Sequence, residues 1–175
     1  MKTALGIATS VVVGTVLFAA PARAYEDQLG LAVGLGYAVS PTDTPLPQHG
    51  PVLDVELGLG LDDTWELRFL LAYGIAIADE PLHRVNVGAE LVYLLDILEY
   101  VPFFGLGIDA PFTIHPLVDP PVDFAAHGVV GLNWLLSREL AIGVQGRVFV
   151  LLTRLSGEAP VWVNAMVRVQ WLFEL

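Results

Sequence analysis

From Leu29 onward, large apolar residues alternate with small or polar ones at a period of two. Leu29, Leu31, Val33, Leu35, Tyr37 and Val39 are separated by Gly30, Ala32, Gly34, Gly36 and Ala38. Successive side chains of a strand leave opposite faces, so this spacing predicts a β-strand and not a helix. The pattern recurs seven more times. Odd positions from Leu53 to Leu61 oppose Asp54 and Glu56, and those from Trp65 to Ile77 oppose Glu66 and Arg68. Val85 to Leu95 oppose Arg84, Asn86 and Glu90, while even positions from Tyr100 to Ile108 oppose Gly105, Gly107 and Asp109. Even positions from Phe124 to Trp134 oppose His127 and Asn133, those from Leu140 to Leu152 oppose Gln145 and Arg147, and odd positions from Val161 to Phe173 oppose Asn164, Arg168 and Gln170. Most of these eight strands reach about ten residues, beyond the common five or six of globular sheets and suited to crossing a bilayer at a tilt.

The sense of the alternation separates two kinds of barrel. A soluble ligand-binding barrel turns its apolar side inward and needs a solvated exterior. Here the minor face is glycine and alanine with one or two charges per strand, and no lysine occurs after Lys2. The bulky face holds more than one small bore accommodates, which predicts an eight-stranded antiparallel up-and-down transmembrane β-barrel with lipid outside. Connections near Asp62 to Thr64, Asp96 to Glu99 and Ser137-Arg138 are short. Those at 41–50, 79–83, 110–121 and 154–160 are mostly longer and proline-rich, so short periplasmic turns alternate with longer external loops. Trp65, Tyr93, Tyr100, Trp134 and Trp171 fall at strand ends beside the short turns or the C-terminus, as one interfacial aromatic girdle would, and Trp162 is expected at the opposite rim.

Charge and composition narrow the setting. The 175 residues carry 8 basic against 19 acidic side chains and no cysteine. The acidic balance excludes a nucleic-acid partner, which asks for a basic face, and the lack of cysteine excludes disulfides and thiolate chemistry. Residues 1–24 read as a secretory signal: Lys2 supplies a positive start, Ala4 to Ala20 is uncharged and mostly apolar, and Ala22-Arg23-Ala24 has the form of a cleavage site. The expected domains are thus the signal, 1–24, and the barrel, 25–175. No later apolar run reaches the about 18 residues of a spanning helix.

The segment Val101-Pro102-Phe103-Phe104-Gly105-Leu106-Gly107 and the layout of residues 25–175 resemble small eight-stranded outer-membrane proteins, the family of the outer membrane protein A transmembrane domain and its opacity-type relatives. The resemblance implies residence in the bacterial outer membrane after export through the periplasm. It also implies insertion by the barrel-assembly machinery, and contact with outer-membrane lipid and lipopolysaccharide. That family typically ends in an aromatic residue, whereas here Phe173 is followed by Glu174 and Leu175.

Candidate chemistry is sparse. Counting from the periplasmic turns places Glu56, Arg68, Glu90, Gln145, Arg147 and Arg168 at similar heights on the minor face, which predicts a charged network inside the bore. Its reading is a structural plug, with an ion path as the alternative. A Ser–His hydrolase needs nucleophile and base within hydrogen-bond reach. Only Ser40 with His49 offers such a pair, across a loop, and no catalytic motif or cofactor signature accompanies it. His49, His83 and His115 are expected in external loops, with Asp43, Asp79, Glu80, Asp109, Asp119 and Asp123 as a solvated acidic rim, and no metal-ligand spacing joins them. The function expected is non-enzymatic, structural or surface-interacting. A narrow channel and a soluble periplasmic lipid carrier are the alternatives.

Overall fold

The computed structural model describes residues 28–40, 49–95, 99–116, 122–154 and 161–174; the segment 1–24, expected to be a secretory signal, lies outside them. Eight strands follow one another: β1 (Gln28–Val39), β2 (His49–Gly60), β3 (Trp65–Ala76), β4 (Leu82–Leu94), β5 (Tyr100–Ile114), β6 (Ala125–Leu135), β7 (Leu140–Leu151) and β8 (Val161–Glu174). Each pairs antiparallel with its sequence neighbours, and β8 pairs with β1 to close the barrel. Closure leaves no strand edge with unsatisfied backbone groups, which hydrocarbon does not tolerate.

The stagger of the sheet sets its dimensions. Following partners round from Leu29, through Leu59, Leu67, Leu91, Leu106, Gly128, Val148 and Val163, returns to β1 at Val39, ten residues further along. With standard strand spacings that shear gives a tilt of about 41° and a backbone radius of about 8 Å. A bore this narrow is one that side chains can fill.

The alternation read from sequence sorts the faces. Leu57, Phe69 and Val167 point outward, Val167 with 64% of its surface open. Arg68, Arg147 and Arg168 are buried in the bore. A soluble carrier requires the reverse. Two apolar clusters lie above and below the charged layer: Val92, Leu94, Val101, Phe103, Val129 and Leu172 toward the short turns, and Ala125, Phe149, Leu151 and Trp162 toward the long connections.

Three strands run past their expected ends. β5 continues through Pro111 to Ile114, where a loop was expected from Ala110. Proline lacks one donor, yet its carbonyl accepts from Asp123 N at 3.0 Å, and its neighbours Phe112 and Thr113 keep alternating out and in. β2 starts at His49, so His49, and likewise His83 on β4, lie on strands instead of in external loops. His115 follows β5 directly and is buried.

Candidate functional site: the charged bore

The inward positions of β2, β3, β4, β7 and β8 converge on one layer. Arg147, on β7, is its centre. Nη1 donates to Asp54 Oδ2 at 2.6 Å, Nη2 to Glu56 Oε1 at 2.8 Å, and Nε and Nη2 donate to the two Glu90 oxygens at 3.0 Å each. Arg168 reaches Glu56 Oε2 at 3.2 Å and Gln145 Oε1 at 3.2 Å, while Gln145 Nε2 donates to Glu56 Oε1 at 2.5 Å. Arg68 donates to Glu66 from Nε at 2.8 Å and Nη2 at 2.7 Å, with Nη1 at 3.5 Å from Glu90 and 4.0 Å from Glu56. The six residues expected to share a height, Glu56, Arg68, Glu90, Gln145, Arg147 and Arg168, are brought into one connected cluster. Charges withdrawn from water cost several kcal/mol each unless paired and hydrogen-bonded, and this lattice supplies the pairing.

Three further acids and one imidazole belong to the same layer. Asp54 and Glu66 share the inward parity of Glu56 and Arg68, and that parity was the available signal. Asp109 and His127 were harder to place, because their contact depends on the β5–β6 register, which sets Gly107 opposite His127 and Asp109 opposite Ala125. His127 Nδ1 meets Asp109 Oδ2 and Nε2 meets Glu90 Oε2 at 2.9 Å. Asp109 is therefore a bore residue and no part of the acidic rim, because β5 carries it four residues beyond Gly105 on the inward face. Asp123 is also buried, accepting from Thr153 Oγ1 at 2.7 Å. Asp79 and Glu80 are exposed as a rim requires, and Asp43 and Asp119 lie outside the described residues.

Glycines make the layer possible. Gly88 and Gly107 face Asp109 and His127 across the ladder, and a Cβ at either would collide with those side chains and with the neighbouring strand's backbone. Aromatic rings complete the filling. The Arg68 guanidinium lies 4.4 Å from the centre of the Phe103 ring below the layer. Above it, Phe149 lies 5.1 Å from His127 and stacks on Trp162 at 4.4 Å, and Arg84 caps Trp162 at 4.6 Å. Trp162 consequently sits in the bore and not at the outer lipid rim: its even position on β8 gives it the inward parity of Asn164 and Arg168.

The other aromatics expected as a girdle do face outward near the short turns. Trp65 and Tyr93 meet edge-to-face at 5.1 Å, Tyr100 and Trp134 stack at 6.1 Å, and Trp171 is 41% exposed. The Ser40–His49 pairing is not formed: Ser40 Oγ donates to Val161 O at 3.0 Å, and His49 Nδ1 bonds with the Tyr37 hydroxyl at 2.6 Å. Among the described residues no group of three or more acidic or histidine side chains is arranged to hold a metal ion.

No family model matches the chain, and no curated protein matches it. Solved structures do share its fold. The outer membrane protein OprG from Pseudomonas aeruginosa superposes with a TM-score of 0.65 at 10% identity, over 86% of this chain and 98% of its own. Neisserial surface protein A superposes with a TM-score of 0.64 at 10% identity, over the same shares. The outer membrane enzyme PagL gives a TM-score of 0.51 at 14% identity, over 81% of this chain and 97% of its own. At such identities the likeness is one of fold. It is the small eight-stranded outer-membrane barrel that the sequence resemblance implied.

Proposed function

We propose that this chain is a bacterial outer-membrane barrel, exported through the periplasm, whose bore is a closed structural core and whose work is done at its surface. Its role on this reading is non-enzymatic: external loops and outer rim meet outer-leaflet lipid, lipopolysaccharide or protein partners. The observation that carries the proposal is the Arg147 tie. One guanidinium links acids from two strands, Asp54 and Glu56 on β2 and Glu90 on β4, across the axis along which a solute would pass. Apolar clusters on both sides of the charged layer support the reading of a closed bore. Trp171 and Phe173, outward-facing near the end of β8, supply the aromatic signal for the assembly machinery.

Planar-bilayer recording of the purified, refolded chain tests the closed bore. The expected trace has no large, steady openings, and Arg68→Ala destabilises the barrel more than it raises conductance. Steady openings in the unmutated protein refute the proposal. Fractionation of inner from outer membrane, with heat-shifted gel mobility as the sign of a folded barrel, tests the location.

A further inference from the structure

The outer surface of the barrel carries a repeated feature that the bore does not explain. In the β1–β2 hairpin, Tyr37 Oη lies 2.6 Å from His49 Nδ1, with the rings 23° from parallel. In the β3–β4 hairpin, Tyr73 Oη lies 2.8 Å from His83 Nδ1, with the rings 18° from parallel. Both pairs use the same diagonal register: Tyr37 faces Pro51 while His49 faces Val39, and Tyr73 faces Val85 while His83 faces Ile75. All four residues have the outward parity of their strands, and Tyr37 and Tyr73 are 44% and 42% exposed.

Their height on the barrel identifies their surroundings. Tyr73 is eight residues up β3 from Trp65 of the aromatic girdle, and His83 is ten residues up β4 from Tyr93. At a tilt of about 41° these separations are about 20 and 25 Å along the barrel axis, the height of the apolar band of a membrane barrel. The Tyr–His pairs therefore stand at the headgroup level of the leaflet opposite the girdle. Among the described strand residues, every arginine points into the bore, so His49 and His83 are the outward groups able to carry positive charge there.

The chemistry selects the ligand. When the tyrosine hydroxyl donates to Nδ1, the imidazole proton sits on Nε2; when Nδ1–H donates instead, the hydroxyl hydrogen is free to donate elsewhere. Either arrangement leaves one donor of each pair unspent. Polar donors at headgroup depth, bonded to no carboxylate among the described residues, fit an anionic oxygen. We infer that the two Tyr–His pairs form a belt that binds the phosphate of lipid headgroups in the outer leaflet. The inference rests on the membrane reading above and specifies the lipid contact within it.

Native mass spectrometry of the full barrel, released from micelles doped with phosphatidylglycerol or with an uncharged, phosphate-free galactolipid, tests the belt. The wild-type protein is expected to retain phosphatidylglycerol in preference to galactolipid. In the double variant His49→Phe/His83→Phe, which keeps an apolar ring at both sites, phosphatidylglycerol adducts fall about fivefold or more. Tyr37→Phe/Tyr73→Phe, which removes only the hydroxyls, gives a smaller loss. Equal retention of both lipids by the wild type, or unchanged phosphatidylglycerol retention in both variants, overturns the inference. Heat-shifted mobility of every variant is recorded alongside. A belt that fails in a barrel still folded and still in the membrane fraction leaves the closed-bore reading standing.

Discussion

Arg147 and Glu90 are three strands apart, yet the guanidinium meets both carboxylate oxygens at 3.0 Å in a two-pronged contact through the bore. A bidentate pair fixes orientation as well as charge, and lysine cannot reproduce it. Truncating Arg147 strands Glu90, Asp54 and Glu56 as buried acids without their shared cation. Arg147→Ala is therefore expected to cost about 3–5 kcal/mol and Arg147→Lys a smaller amount, read from urea unfolding followed by gel mobility. Equal stability of Arg147→Ala and the wild type removes Arg147 from the centre of the network.

Glycine on the inward face is expected to be irreplaceable where a network side chain needs its space. A Cβ on Gly107 would overlap the His127 ring and the Ala89 carbonyl, whereas the nearest atom to a Cβ on Gly128, which faces outward, is 3.8 Å away. Gly107→Ala should destabilise the barrel by about 1–3 kcal/mol through forced displacement. Gly128→Ala should be neutral or stabilising by up to about 1 kcal/mol, because it restricts only the unfolded chain. The same unfolding assay, run on both variants, distinguishes the two faces.

Much of this architecture was legible because the two faces of a membrane strand obey opposite rules. Leu57 and Phe69 read as lipid-facing, and Glu56 and Arg68 as inward, from parity alone. Parity carries no information on side-chain reach or on register between strands. That is why Asp109 could be read as a rim residue although it touches His127, a contact set by the pairing of Gly107 with His127. Trp162 was misplaced for a different reason: the expectation that tryptophan marks an interface overrode its own inward parity, and the bore stacks it between Phe149 and Arg84. The ends of β2 and β5 were obscured by Pro51 and Pro111, which resemble loop residues locally but here sit inside the ladder.

The His127 imidazole is held by carboxylates from two strands, Asp109 on β5 and Glu90 on β4. Groups in direct contact within one network fail to add, and the shortfall measures their coupling. In a double-mutant cycle of His127→Ala and Asp109→Ala, the coupling is expected to lie at about 1–3 kcal/mol in favour of the pair. A coupling near zero would show that each side chain serves the barrel independently.

The four tryptophans of the chain divide by environment, three outward and one inward. Single-tryptophan variants in bilayers containing brominated lipids should show this directly. Trp65, Trp134 and Trp171 are expected to be quenched most strongly by bromines near the headgroup, as interfacial residues are. Trp162, buried against Phe149, should be insensitive to bromine at every depth. Depth-dependent quenching of Trp162 would place it on the lipid face and open the upper bore.

The β2–β3 turn offers a titration outside the membrane. Asp62 Oδ1 accepts from Thr64 N at 2.7 Å, Thr64 Oγ1 at 2.9 Å and Trp65 N at 2.8 Å, and these donors hold its carboxyl below the usual aspartate range. A folded value below the unfolded one means that the folded state favours the ionised form. The resulting stabilisation is complete above the unfolded value, about 4, and is lost as pH falls through the folded one. Asp62→Ala should thus weaken the barrel at pH 7, and its deficit against the wild type should shrink as the solution is acidified below pH 4. Asp62→Asn retains an acceptor oxygen but no charge, so it should show a smaller deficit at pH 7, and that deficit should fall on acidification by the same amount as for Asp62→Ala, because the titrating group is the wild type's own. The difference between variant and wild type at each pH is the quantity to follow, since contributions common to both proteins cancel from it. A deficit for Asp62→Ala that stays constant down to pH 2 would assign the turn's stability to the shape of the side chain and leave its charge without a role.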